Sequence, residues 1–338
     1  MKTQQMVLAK RPHGEPDDSC FDLVEADLPD LGDNQILIKV LDLSLDPYMR
    51  GRMNDMESYA TPTAIGEVMG GEAAGVVVES RSDKYAVGDY VTAYTGWQSH
   101  FIANADEPRV RPVDKDMGTL SMHLGVIGMP GRTAYWGLSE VGKPQAGETL
   151  VVAAASGAVG SVVGQMAKIL GLRAVGIAGG PQKCAYVKDE LGFDECIDYK
   201  AGNLEAELAA ACPNGVDVYF ENVGGEVSEA VSKLFNPGSR APICGFVSAY
   251  NATDFKTVRT PMQIFADAQN VPEHRFFVVT EWDDRWLEAT TQLSGWIKEG
   301  KIKFGESIGE GLGNAPELFR GLLNGKNFGK QIVRITEE

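Results

Sequence analysis

Metal ligands are scarce in this sequence. It has five cysteines (Cys20, Cys184, Cys196, Cys212 and Cys244) and four histidines (His13, His100, His123 and His274), all widely scattered. No pair has the close spacing of a metal knuckle or a redox motif. A zinc site is therefore not expected, and the thiols read as reduced, buried residues. Long apolar runs are missing as well. No stretch approaches the roughly 20 residues that a membrane helix needs. The segment Met1–Met6 has neither the apolar core nor the cleavage site of a secretion signal. The expectation is a soluble, cytoplasmic protein with no membrane partner. Positive charge is also in deficit, with 31 Lys and Arg against 47 Asp and Glu and a net charge of −16. Such a field repels phosphate backbones, so no nucleic-acid partner is expected. A phosphate-bearing ligand would have to be met by a local basic patch.

What is present is an ordinary globular composition, 43% hydrophobic over 338 residues, enough chain for two domains. The first part reads as short β-type segments broken by Gly- and Asp-rich turns, with strands at Gln35–Leu41, Gly75–Glu79 and Asp89–Tyr94. The texture changes at Gly128-Met129-Pro130-Gly131. From there strands alternate with helical periods, which predicts a parallel sheet covered by helices. Strand Thr149–Ala154 leads to a helix over about Ala158–Leu170. Strand Arg173–Ala178 leads to a helix around Gln182–Leu191. Short strands follow at Glu195–Ile197, Asp217–Phe220 and Ala241–Cys244, then a helical run over Asp283–Glu299. The tail Lys330–Ile335 reads as a strand returning to the first domain. The fold class is thus α/β, a β-rich domain joined to a doubly wound parallel sheet.

The chemistry begins at the turn Ala155-Ser156-Gly157-Ala158-Val159-Gly160, between the first strand of that sheet and its helix. A glycine-rich turn there lets backbone N–H groups face a pyrophosphate at the helix N-terminus. Alanine replaces the first glycine, but the strand–turn–helix context supports a dinucleotide site. The end of the second strand selects the nucleotide. An NAD enzyme carries an acid there for the ribose 2′-hydroxyl; this chain has Ala178-Gly179-Gly180-Pro181-Gln182-Lys183 and no acid. Lys183 can pair with a 2′-phosphate, so the expected cofactor is NADPH.

These residues carry a resemblance. The chain resembles the zinc-independent medium-chain reductases, which include leukotriene/prostaglandin reductases, plant double-bond reductases and bacterial curcumin reductases. The most specific segments are Leu45–Met53 (L-D-P-Y-M-R-G-R-M), Gly128–Tyr135, Ala155–Gln165, Glu221–Gly225 and Asn327–Lys330. Arg11–Gly14 with the D-P-Y-M-R run looks most like the curcumin reductases. The resemblance implies a GroES-like barrel, residues 1–128 and 307–338, as the catalytic domain. It implies a Rossmann NADPH-binding domain over residues 129–306, with the active site in the cleft between the two. It implies that Ser156, Gly157, Ala158 and Val159 hold the pyrophosphate, and that Gly179, Lys183 and Tyr199 hold the 2′-phosphate end. Asn222 would lie near the phosphates or ribose. Cys244, Gly245, Phe246 and Tyr250, with Phe277, Val278 and Val279, would line the nicotinamide, and Asn327 would close over it. Homodimers joined through the Rossmann sheet edge are also implied. Where zinc-dependent relatives have G-H-E, this chain reads Gly70-Gly71-Glu72, so that metal ligand is absent.

The expected reaction is NADPH-dependent reduction of a C=C bond conjugated to a carbonyl, on a small-molecule enone or alkenal. The protein orients the partners and donates a hydrogen bond to the developing enolate. Tyr48 and Tyr250 are the candidate catalytic residues, since a tyrosine hydroxyl stays protonated at neutral pH. Tyr48 is the substrate-side donor and Tyr250 the nicotinamide-side neighbour; water or the cofactor ribose remain alternative proton sources. Arg50 and Arg52 read as structural, pairing with nearby acids. Residues Asn54–Gly66 are expected to form a lid. Met53, Tyr59 and Ile65, with Tyr48 and Met129, would then line an apolar pocket for flat conjugated substrates. A quinone reductase and a non-catalytic NADPH-binding protein are the competing readings.

Overall fold

The computed structural model describes residues 1–55 and 60–336. The expected lid residues Met56 and Tyr59 lie outside the described residues. The chain divides into two compact units, Met1–Gly125 with Glu306–Glu338, and Val126–Gly305.

The second unit is built on a six-stranded parallel sheet. In chain order its strands are Thr149–Ala153, Arg173–Ala178, Glu195–Asp198, Val216–Phe220, Phe235–Ile243 and Glu273–Phe276. Numbered within this sheet, the spatial order is 3-2-1-4-5-6, the doubly wound arrangement of dinucleotide-binding folds. The central strands are runs of Val, Leu, Ile and Ala because a parallel sheet is covered on both faces; all five residues of Thr149–Ala153 are buried. Val151, Val175, Tyr219, Ala241 and Phe265 belong to one core cluster.

The helix after the first strand, Gly160–Ile169, lies very close to its neighbours. A methyl group at Gly164 would stand 1.8 Å from Cζ of Phe193, so the Phe193 ring occupies the space a side chain would take. The predicted helix around Gln182–Leu191 is regular over Pro181–Ala185 and then widens over Tyr186–Glu190. The run expected over Asp283–Glu299 is helical from Trp286 to Lys298, preceded by a tighter turn over Val279–Arg285.

The first unit has a seven-stranded sheet arranged around the long strand Gln35–Leu45. That strand pairs antiparallel with Ala73–Ser80, His100–Asn104 and Lys330–Arg334. The last of these pairs in parallel with Glu306–Glu310. A hairpin of Lys2–Leu8 and Phe21–Asp27, not singled out from the sequence, forms a separate two-stranded sheet. Met6, Leu8, Leu43, Met49, Met53, Trp97 and Phe319 share a core cluster. Among the described residues, no helix is long and apolar enough to cross a membrane.

Candidate active site

In the second unit, the residues expected to bind a nucleotide follow the C-terminal ends of the six parallel strands, where ligands bind in open α/β sheets. The turn after the first strand is tight. Ala154 has φ +54°, and its carbonyl accepts the Gly157 N–H at 2.9 Å. A methyl at Gly160 would lie 2.4 Å from that same carbonyl oxygen, so only glycine fits there. Ala155 stands where the motif has its first glycine, and the neighbouring strand explains why it is tolerated. A side chain at Gly176 would come within 2.7 Å of the Ala155 methyl, so Gly176 leaves the space that Ala155 fills. The N-cap of the following helix is Val159, which offers no side-chain acceptor. The N–H groups of Ser161 and Val162 already meet the carbonyls of Gly157 and Val159, but the positive end of the helix dipole still suits an anion.

At the end of the second strand, Gly179 packs under two residues from the end of the third. A methyl there would meet the Tyr199 ring at 2.9 Å and Cε of Lys200 at 3.1 Å. The Lys200 ammonium lies 5.7 Å from the centroid of the Tyr199 ring. Asp198 is engaged with the backbone, its Oδ1 accepting the N–H groups of Gly180 at 2.8 Å and Lys200 at 3.0 Å. Burial, followed by the charge of Lys200, holds the Lys183 ammonium below the ordinary lysine value. Two lysines set side by side in a protein of charge −16 make the local basic patch that a phosphate ligand requires. Sequence reasoning found Lys183 and Tyr199 but missed Lys200; its only signal was a second basic residue directly after Tyr199.

The ends of the fourth and fifth strands are tied together by Glu221, the first residue of the Glu221–Gly225 segment, for which no role was expected. Fully buried, its carboxylate accepts the N–H groups of Val223 at 2.7 Å and Gly224 at 2.9 Å, and the Ser228 hydroxyl. Its carbonyl accepts the N–H of Cys244 at 2.9 Å. Burial raises the Glu221 carboxyl above its usual range despite those donors. Asn222 donates from Nδ2 to the Ala153 carbonyl at 2.8 Å, joining this loop to the nucleotide turn. The Cys244 thiol is pushed up to about 12 by burial and then by Glu221, so it stays protonated. The Tyr250 hydroxyl folds back over Gly245, 2.8 Å from where a side chain at that glycine would begin, and its ring meets Phe246 edge-on. Phe277 is buried with its ring against Phe220. Val278 and Val279 are half-buried at the following turn, as is Met129 at the start of its helix.

The first unit holds the other expected group. Tyr48 opens the short helix Tyr48–Arg52, directly after a buried ion pair. Lys330 Nζ contacts Asp46 Oδ1 at 2.7 Å and the Leu45 carbonyl at 2.6 Å, with side chains only 3% and 7% exposed. The Ser44 hydroxyl also donates to Asp46. Burial pushes the Tyr48 hydroxyl well above the usual tyrosine value, with smaller contributions from Tyr94, Asp46 and Glu72. Arg52 lies over the Tyr48 ring at 5.8 Å. Arg50 is buried and donates to Asn54 Oδ1 and to the Gly14 carbonyl. Met53 is fully buried in the core of its unit, whereas Ile65 is 62% exposed. Asn327 donates to the Gly329 carbonyl at 2.7 Å.

At Gly70-Gly71-Glu72, a side chain at Gly71 would lie 3.1 Å from both Met49 Cε and Trp97 Cδ1, so the space a histidine would take is filled. Among the described residues, no three His, Cys, Asp or Glu side chains come together as metal ligands.

The strand order 3-2-1-4-5-6 is that of the dinucleotide-binding α/β folds. Residues 4–110 match the model of the N-terminal domain of oxidoreductase, and residues 158–271 that of zinc-binding dehydrogenase. The chain is 46% identical to the NADPH-dependent curcumin reductase of Escherichia coli over 338 residues, 99% of this chain and 97% of that protein. It is 40% identical to prostaglandin reductase 1 of Rattus norvegicus, over 99% of each chain. The crystal structure of CurA in complex with NADPH from Vibrio vulnificus has 45% identity and a TM-score of 0.93, covering 99% of this chain and 100% of that one. The chain belongs to the medium-chain dehydrogenase/reductase family, in the branch that holds the curcumin and prostaglandin reductases.

Proposed function

We propose that this protein binds NADPH and reduces the C=C bond of α,β-unsaturated ketones and aldehydes, including curcumin-like substrates. The observation that carries the cofactor choice is the acid-free corner at Gly179, where Lys183, Tyr199 and Lys200 converge. A phosphate dianion there relieves the mutual repulsion of two lysines, which a bare ribose hydroxyl cannot do. The reaction is supported by the full-length relatives named as NADPH-dependent curcumin reductase and prostaglandin reductase.

Ser156–Val159 and the uncapped helix end would hold the pyrophosphate. The Cys244–Tyr250 segment and Phe277–Val279 would flank the nicotinamide, with Asn327 completing the set. When bound, NADPH supplies the hydride that reaches the β-carbon. Tyr48 donates a hydrogen bond to the carbonyl oxygen as negative charge develops on it, and then releases its proton to the α-carbon. Its raised pKa keeps it a donor through neutral and alkaline pH. Tyr250 orients the nicotinamide side. Tyr48 and Ile65 are the described residues that the first unit is proposed to offer the substrate, and Met129 is that of the second; Met53 packs in the core cluster against which Tyr48 lies. The strand Glu273–Phe276 ends its sheet, and its edge is the proposed seam of a homodimer.

The test follows loss of NADPH absorbance with 2-alkenals, enones, curcumin and quinones in parallel. Turnover of enones and alkenals is expected; turnover of quinones alone would refute the reading, and binding without oxidation would mark a non-catalytic protein. Tyr48→Phe and Tyr250→Phe should each slow turnover with NADPH affinity nearly intact.

A further inference from the structure

The segment Arg11–Gly14 has no part in the proposed reaction, yet it is fastened to the helix Tyr48–Arg52 and to the chain beyond it. Arg11 Nη1 donates to the Met53 carbonyl at 2.9 Å and to the Thr63 carbonyl at 3.2 Å. Met53 is the C-cap of the helix that Tyr48 opens, where a charged donor is favoured. Thr63 also gives its N–H to the Arg52 carbonyl at 2.8 Å, so Thr63 is held against the end of that helix. In the opposite direction, Arg50 Nη2 donates to the Gly14 carbonyl at 2.6 Å. Gly14 has φ +83°, a backbone that glycine adopts without strain. The Arg11 side chain is 27% exposed, and Asp55, at 3.5 Å and 81% exposed, is a loose ion partner. The two carbonyls, more than this exposed pair, fix the guanidinium. Just past Thr63, Ile65 is 62% exposed, and Gly66 donates its N–H to the Leu8 carbonyl at 2.8 Å. Tyr48 and Ile65 therefore lie on the two pieces of chain that Arg11 joins.

We propose that Arg11 is a positioning residue that sets the spacing between Tyr48 and Ile65, and thereby the size of substrate that the first unit favours. This rests on those two residues meeting the substrate in the proposed reaction. A long conjugated substrate such as curcumin touches both and depends on how far apart they are held. A short 2-alkenal reaches Tyr48 without needing Ile65. Arg11 takes no part in the chemistry; it acts through the two carbonyls it holds.

Arg11→Met keeps most of the stem and removes the donors. KM for curcumin is expected to rise about tenfold, the worth of one hydrogen bond from a charged group, with kcat nearly unchanged. KM for 2-hexenal should move far less, and NADPH affinity, which belongs to the second unit, should hold. Arg11→Lys keeps a charged donor on a shorter stem and should fall between the parent and Arg11→Met. Gly14→Ala strains the φ +83° turn without altering Arg11, Tyr48 or Ile65, and should shift the curcumin-to-hexenal ratio in the same direction. The ratio is the deciding readout, because general loosening of the unit lowers activity on both substrates together. If Arg11→Met loses curcumin and 2-hexenal in equal proportion, or loses neither, Arg11 does not set the spacing and the proposal is wrong. If the parent protein itself reduces neither substrate, the proposed reaction fails first, whatever Arg11→Met does.

Discussion

The ion pair beneath Tyr48 allows a quantitative test of how the first unit is held together. Lys330→Met keeps most of the aliphatic stem and removes the ammonium, which sits 2.7 Å from Asp46 Oδ1 with both side chains nearly inaccessible. The Asp46 carboxylate would stay buried, with the Ser44 hydroxyl as its remaining donor. Breaking a buried pair by deleting one partner costs about 3–5 kcal/mol, because the other charge is left uncompensated. The Leu45 carbonyl also loses a donor, so the upper half of that range is expected. Since about 1.4 kcal/mol is a factor of ten, native-state hydrogen exchange of the Gln35–Leu45 amides should speed up by about three to three and a half powers of ten. Exchange in Thr149–Ala153, in the other unit, should change far less. Asp46→Asn in the Lys330→Met background removes the stranded charge and should recover part of the loss, a coupling read directly from the double-mutant cycle. A loss below about 1 kcal/mol, the scale of an exposed pair, or a cycle with no coupling, would show that the pair is not buried as described.

Lys183→Met should weaken NADPH by roughly 10- to 100-fold, the worth of a hydrogen bond to a charged group, and leave NADH nearly unchanged in fluorescence titrations; equal losses would remove the 2′-phosphate assignment. Because Lys183 is held below the ordinary lysine value, it loses its proton earlier than a free lysine as pH rises. The preference for NADPH over NADH should therefore be complete below its lowered pKa and decline as pH climbs through it, and Lys183→Met should flatten that profile. Gly164→Ala forces a methyl into the Phe193 ring and should cost about 1–3 kcal/mol by overpacking. Phe193→Leu in the same chain should restore part of this, and a thermally unperturbed Gly164→Ala would contradict the packing.

The nucleotide half was readable because its signals are local. A strand, a turn and a helix lie within twenty or so residues of one another, and Lys183 follows the turn by a fixed spacing that the fold imposes. What escaped depends on contacts between distant segments. Lys200 reaches Gly179 only because the third strand lies beside the second, with Asp198 opposite Ala178. Glu221 reads as an ordinary acid at a strand end until the loops it ties together are seen to fold around it. The lysine of the Asp46 pair arrives with the last strand of the protein. The opening hairpin was unmarked because Lys2–Leu8 begins with polar residues and turns apolar only at Met6-Val7-Leu8.

That last strand has a consequence for how the protein is made. Lys330–Arg334 is inserted between Gln35–Leu45 and Glu306–Glu310, so the first unit is interrupted by the whole of the second. On the ribosome, residues 1–125 emerge early with only the Asp42–Leu45 end of their long strand lacking a partner on one edge, and with Asp46 without its lysine. Residues 126–305, a continuous segment, can close around their parallel sheet while the earlier segment still waits. The chain thus completes its first-made portion last, and a nascent protein stopped just short of Lys330 would carry a finished nucleotide fold beside an exposed, charge-bearing sheet edge.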